Sequence, residues 1–263
     1  FGREYGAHLS EQSKQGRQWE RWDAWKYSTD YDGVMRKYHQ LVYGVDQAVG
    51  MIVDALETQG VADNTVVIYT SDNGFLCGSH GYGSKVLPYE ESTRVPLLIH
   101  DPRHESSSNR GLRSAALTGN IDLAPTILAL AGIGVPDGNQ GVNLLPLLDK
   151  PESEVREQLN LMNCWGPSPT QFLAVVTRDW KYIYWFYGGG GMTPKEELFD
   201  MRQDKLELAN AAPDPQHRPA LDEMRGRYDS AFADLKKRAV GKHATYAKLF
   251  DRELQWAEKD GRP

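Results

Sequence analysis

The chain has 263 residues, of which 40% are hydrophobic and 25% charged, a composition that sustains one large globular domain or two small ones and argues against a disordered chain. Its formal net charge of −6 gives no footprint for nucleic acid or an anionic membrane as partner, so any anionic ligand has to be held by a local site. No run is long enough to span a bilayer, and Phe1 to Ser10 has neither the basic start nor the apolar stretch of a signal peptide.

In chain order, residues 1–30 are polar and aromatic, with Trp19, Trp22 and Trp25 spaced to share a helical face. They suit an anchor packed on the body of the protein, the rival reading being a carbohydrate-stacking platform. From Tyr38, the apolar positions Leu41, Val42, Val45, Val49, Ile52, Val53 and Leu56 follow the spacing of a long amphipathic helix, with Gly60 placed as its stop. The β-branched run from Thr65 to Thr70 predicts a strand covered on both faces in a parallel sheet. Val95 to His100 predicts a second buried strand, and Asp122 to Gly132 a helix with Asp122 as N-cap and Pro125 in the first turn. Glu105 to Arg113 reads as a polar loop.

After about Lys150 the pattern changes. Ala174 to Thr177 and Trp180 to Phe186 read as an antiparallel hairpin turning at Arg178-Asp179, and Glu197 to Asp200 as a third strand. The glycines from Gly188 to Gly191 mark a loop, and Pro219 to about Lys259 is mainly helical with a solvated face. Cys77 and Cys164 stand outside any CxxC pair and read as free thiols.

Ser71-Asp72-Asn73-Gly74 follows the first strand directly, at the carboxyl end where α/β sheets place ligand sites. A carboxylate beside an amide carbonyl offers two hard oxygens, suited to Ca²⁺ or Mg²⁺, although Asn-Gly is also an ordinary turn signal. The loop Gly78-Ser79-His80-Gly81-Tyr82-Gly83-Ser84-Lys85 then carries an imidazole and an ammonium that glycines can bring to an oxyanion. Taken singly, a lysine is more often a solvated charge and a histidine a structural one. Tyr89-Glu90-Glu91-Ser92 and Arg94-Val95-Pro96 lead into the second strand.

In this order the motifs resemble the sulfatase family of the alkaline phosphatase superfamily. The match runs from about Tyr31 to about Pro213 through Ser71 to Gly74, Gly78 to Gly81, Lys85, Tyr89 to Pro96, Asp122 to Thr126 and Gly141 to Leu144. Lys181-Tyr182-Ile183 and Glu197 to Asp200 look like that family's small C-terminal subdomain. The resemblance implies an α/β fold: the second half of an alkaline-phosphatase-like sandwich with a mainly parallel sheet, plus a small antiparallel α+β subdomain. The implied organisation is an N-terminal segment over 1–30, the C-terminal half of the catalytic domain over 31–150, and the subdomain over 151–263.

The resemblance further implies that Asp72 and Asn73 bind a divalent metal, Ca²⁺ in most of the family, and that Lys85 contacts sulfate oxygens. His80 falls near the site, either catalytic or loop-orienting, and Arg94 is implied to pair with Glu90 or Glu91. The family's nucleophile is a formylglycine made from a Cys/Ser-x-Pro-x-Arg motif, and neither Cys77 nor Cys164 begins one. A second Asp-Asp metal pair is also missing. Together with a start at Phe1, this reads as a fragment of a sulfuric ester hydrolase, inactive alone. The parent would act on a carbohydrate or aryl sulfate in a periplasmic, secreted or lysosomal setting. Phosphate or phosphonate ester cleavage and a noncatalytic module are the alternatives, and exposed apolar surface predicts self-association of the chain by itself.

Overall fold

The fold is that of a computed structural model, which describes residues 2–6, 8–104 and 111–259; the polar loop expected from Glu105 lies outside these as far as Arg110. The chain forms two compact units that interleave in sequence. One comprises Phe1–Tyr31, Asn73–Arg94 and Asn160–Pro263, and the other Asp32–Asp72 and Val95–Leu159. The chain crosses between units after Tyr31, Asp72, Arg94 and Leu159, so a linear division at 30 and 150 has no counterpart for the two middle crossings.

The first unit is organised by a four-stranded sheet of β3 (Leu159–Asn163), β4 (Phe172–Val176), β5 (Trp180–Trp185) and β6 (Lys195–Asp200), adjacent in that order. β4 and β5 pair antiparallel, with Val176 opposite Lys181, and β5 and β6 likewise, with Lys181 opposite Phe199. The expected hairpin and third strand are therefore present. Alternation along each strand divides its side chains between the sheet faces.

Tyr182, Tyr184, Phe186, Leu173, Val175 and Leu198 pack with Leu221, Met224, Tyr228 and Phe232 of a helix over Arg218–Arg238. Ile183, Trp185, Phe172, Ala174 and Phe199 pack with Leu76, Tyr82, Leu87 and Tyr89 of the glycine-punctuated segment. That segment has almost no regular structure of its own, and it is fixed because its apolar side chains form the second cover of the sheet. At roughly 1.5–3 kcal/mol for each large apolar side chain buried, the four fix the segment together with its backbone hydrogen bonds.

The N-terminal tryptophans anchor the same unit. Trp19 meets Tyr82 edge-on with ring centroids 5.3 Å apart, Trp22 stacks on Tyr27, and Trp25 stacks on Phe75. Packing against protein rings accounts for all three. Past the Arg218–Arg238 helix come short helices over Lys242–Ala247 and Trp256–Lys259, so the stretch is mainly helical. The first helix ends where Ala239 turns extended, and Gly241, with φ 57°, precedes the next.

In the second unit, α2 (Tyr31–Thr58) is the long helix that the apolar spacing predicts, taking the helix over Arg17–Ala24 as α1. It ends at Gly60 with φ 66°, where the Val61 amide donates to the Leu56 carbonyl at 3.1 Å, the backbone closure expected of a C-terminal glycine. The strands β1 (Val67–Thr70) and β2 (Leu97–His100) form the α/β element expected, but they pair with each other antiparallel, Val67 opposite His100. A two-stranded ribbon leaves each strand an edge, so β1 is only half-buried.

Asp122 stands immediately before a helix over Leu123–Leu130, yet its side chain does not cap that helix. Fully buried, it accepts from the Gly119 and Val142 amides, both at 2.8 Å, and from both terminal nitrogens of Arg156. Thr126 adds a second tie, accepting from the Leu144 amide at 3.0 Å. Asp122 and Thr126 thus fasten the Gly141-to-Leu144 segment.

Candidate functional site

β1 delivers the chain to Ser71-Asp72-Asn73-Gly74, and Asn120 holds its exit: the side-chain amide donates to the Ser71 carbonyl at 3.0 Å and the Asp72 carbonyl at 3.1 Å. The Asp72 side chain is exposed. Asn73 Nδ2 donates to the Gly74 carbonyl at 2.7 Å, which orients the amide, and Asn73 Oδ1 accepts from Lys85 Nζ at 2.7 Å. Gly74 is required for close approach and not for a turn. A Cβ there would sit 2.2 Å from the Glu91 carbonyl oxygen, and the Gly74 amide donates to Ser92 O at 2.8 Å.

Lys85 lies on a loop closed by Leu76 N to Ser84 O at 2.7 Å and Gly78 N to Tyr82 O at 2.9 Å. Gln18 clamps it from α1, its carbonyl accepting from the Gly83 amide at 2.8 Å and its side chain donating to the Lys85 carbonyl at 2.9 Å. Ser84 and Val86, on either side of Lys85, both have positive φ, 74° and 92°. For a β-branched residue such as Val86 this is a genuine conformational outlier, and backbone strain of this kind concentrates at functional sites. Ser92 Oγ holds the Val86 amide at 2.8 Å.

Of the sequence candidates, the structure joins Lys85 to Asn73 directly. It buries His80, 3% exposed, beside Tyr89 (centroids 5.0 Å apart), with Nε2 3.6 Å from Glu91 Oε2. Burial pushes the Glu91 carboxyl up, but its pairing with His80 outweighs this and holds it below the usual carboxylate range. Arg94 is largely exposed and reaches Glu90 only at 4.0 Å. The firm partner of Glu90 is Lys181 of β5, whose Nζ lies 2.7 Å from Glu90 Oε1 and 2.7 Å from Glu207 Oε1. Glu207 Oε2 also accepts from the Glu90 amide at 2.6 Å.

Sequence reading missed Asn120, Gln18 and Glu207. Each acts across 48 or more residues of chain, and no local spacing signals such a contact.

The donor chemistry of Asp72 and Asn73 suits a hard cation, being carboxylate and amide oxygen without nitrogen or sulfur. That Asn73 Oδ1 faces an ammonium shows that this oxygen is presented to positive charge. The same ammonium, on a strained and clamped loop, can meet an anion as a compact point charge.

The sequence model of the family described as Sulfatase matches residues 5–133, and that described as N-sulphoglucosamine sulphohydrolase, C-terminal, matches residues 78–233. An N-acetylglucosamine-6-O-sulfatase of Bacteroides thetaiotaomicron is 35% identical over 70% of this chain and 33% of its own length. A solved structure described as a complex with its substrate D-glucosamine-2-N,6-O-disulfate is 30% identical with a TM-score of 0.70, covering 79% of this chain and 42% of that one. The phosphonate monoester hydrolase of Agrobacterium radiobacter shares the fold, with a TM-score of 0.64 at 24% identity over 82% of this chain and 44% of that one. The chain spans about a third of the length of the curated relatives it matches.

Proposed function

This chain belongs to the sulfatase family, and we propose that it is the C-terminal portion of a sulfuric ester hydrolase to which it contributes two metal ligands and a sulfate-contacting lysine. Asp72 and Asn73 would hold a divalent ion, Ca²⁺ by its preference for hard oxygens. When bound, that ion supplies fixed positive charge beside the transferred group. Lys85 contacts the sulfate oxygens, and its ammonium is worth most where the group's charge grows. The nucleophile, a formylglycine, belongs to a segment outside these 263 residues.

The observation that carries this reading is the Lys85 Nζ to Asn73 Oδ1 contact at 2.7 Å, flanked by two left-handed residues and clamped by Gln18. It brings the anion-binding group and a metal-binding oxygen together from opposite ends of the loop. His80, buried against Glu91 and Tyr89, serves in this reading to hold the loop that carries Lys85 and not to transfer protons. For substrate we propose a sulfated amino sugar. The support is the named substrates of relatives at 35% and 30% identity. A periplasmic, secreted or lysosomal setting belongs to the same proposal, and no helix among the described residues is long and apolar enough to cross a membrane.

The test is made on the full-length protein with glucosamine 6-sulfate, a phosphate monoester and a phosphonate ester. Sulfate release is expected to dominate, and Lys85→Ala is expected to lower kcat/KM by about 10²–10³, the usual loss when one preorganised charge-stabilising donor is removed. Preferred turnover of the phosphorus esters, or an unimpaired Lys85→Ala, would overturn the proposal.

A further inference from the structure

We propose that His80, Glu91 and Glu207 form a binding site for a transition-metal dication, with Zn²⁺ the best match. None of these three is among Asp72, Asn73 and Lys85, so the inference stands apart from the function proposed above. One donor atom from each of the three lies within 4.8 Å of the others. On an ion with Zn–N and Zn–O bonds of about 2.0–2.2 Å, tetrahedral ligands stand roughly 3.3 Å apart. The three side chains therefore need only close inward by small rotations.

The independent observation is the state of the imidazole. The His80 side chain is 1% exposed, and neither Nδ1 nor Nε2 has a hydrogen-bond partner; Glu91 Oε2 also lacks one, whereas Glu207 Oε1 is held by Lys181 at 2.7 Å. Buried polar atoms are almost always satisfied, so the buried imidazole and the Glu91 oxygen facing it call for a partner. An imidazolium donating to both carboxylates would satisfy them, but Nε2 is 3.6 Å from Glu91 Oε2, beyond hydrogen-bond length.

Charge points the same way. Glu90 and Glu207 each lie 2.7 Å from the buried ammonium of Lys181 and Glu91 faces His80, so acidic side chains outnumber that ammonium here, an excess a dication offsets. His8 stands nearby with its ring 6.3 Å from that of His80, but its Nε2 is engaged 2.9 Å from the Glu207 carbonyl, and burial depresses its pKa, so it adds no positive charge. A nitrogen ligand with two carboxylates suits Zn²⁺ and disfavours Ca²⁺ and Mg²⁺, which prefer all-oxygen sites.

The experiment is metal binding by the full encoded protein, by competition with a chromophoric Zn²⁺ chelator and by the visible absorption of Co²⁺ substituted for Zn²⁺. One equivalent with a four- or five-coordinate Co²⁺ spectrum is expected, and affinity is expected to fall by about 100-fold in His80→Asn and Glu91→Gln. Glu207→Gln also strips Lys181 of a partner and can unfold the protein. Glu91→Gln, whose side chain is 26% exposed, is therefore the decisive variant, with circular dichroism to confirm that it folds. Unchanged affinity in folded Glu91→Gln and His80→Asn, or no equivalent bound by the parent protein, would overturn the inference.

Discussion

Lys181 illustrates how a residue's role is set by what surrounds it. The sequence places it in a strand beginning with Trp180, just past the expected turn at Arg178-Asp179, without showing that its side chain is buried. In the fold it is fully buried between Glu90 and Glu207 and also donates to the Pro88 carbonyl at 3.1 Å. Burial disfavours its charge, but the two carboxylates more than offset this and hold its pKa above the ordinary lysine value. It therefore stays an ammonium. Lys181→Met is expected to destabilise by about 3–5 kcal/mol, because it strands buried carboxylates, while adding Glu207→Gln should recover part of the loss. Urea unfolding of the two variants checks this, and equal midpoints for Lys181→Met and the parent would show that the pair is not needed.

At the scale of elements, the sheet and its covering helix are tied by a carboxylate on β6. Glu196 accepts from Arg225 Nε of the Arg218–Arg238 helix at 2.8 Å and from the Tyr182 hydroxyl of β5, with Arg252 Nη1 3.6 Å away. Burial raises the Glu196 pKa, but Arg225, Tyr182 and Arg252 outweigh it, leaving the carboxyl below its ordinary value of 4.5. As pH falls, the unfolded chain binds this proton first, so the folded state loses the contribution as pH drops through the depressed folded value; above 4.5 it is present in full. Glu196→Gln should therefore be less stable than the parent near neutrality, with the gap narrowing as pH falls below 4.5 through the depressed folded value. Denaturant midpoints across that range measure it, and a constant gap would mean that Glu196 contributes through packing alone.

On the scale of the whole molecule, α2 stands out. Leu41, Met51 and Ile52 are 71%, 72% and 58% exposed, and none of its residues is buried, although their spacing is that of a helix with a face to cover. Apolar surface gains roughly 25 cal/mol for each Å² removed from water, and contiguous exposed patches mark surfaces that associate. The 263-residue chain alone is expected to self-associate at micromolar concentration, and Leu41→Glu with Ile52→Glu should shift it toward monomer. In the longer protein proposed above, the same pair should instead lower stability, by filling a buried face with charge. Sedimentation velocity on the chain and thermal unfolding of the longer protein give both readouts; a strictly monomeric chain would contradict the first.

Local chemistry carried much of this protein in its sequence alone. The i, i+3, i+4 spacing gave α2 and Gly60 its end, because a helix face and a left-handed stop need only neighbouring residues. The strand runs on either side of the turn at Arg178-Asp179 gave the β4–β5 hairpin, Glu197 to Asp200 gave β6, and the motif order from Asp72 to Pro96 gave the family. The tertiary structure alone decided what depends on distant chain: that β1 and β2 pair antiparallel, that Asp122 grips Arg156 and the Gly141-to-Leu144 segment, and that Glu207 closes on Glu90, Lys181 and His80 from 117 residues beyond Glu90. Pairing direction and buried charge partners follow from how whole elements cover one another's apolar surface, which no short window of sequence encodes.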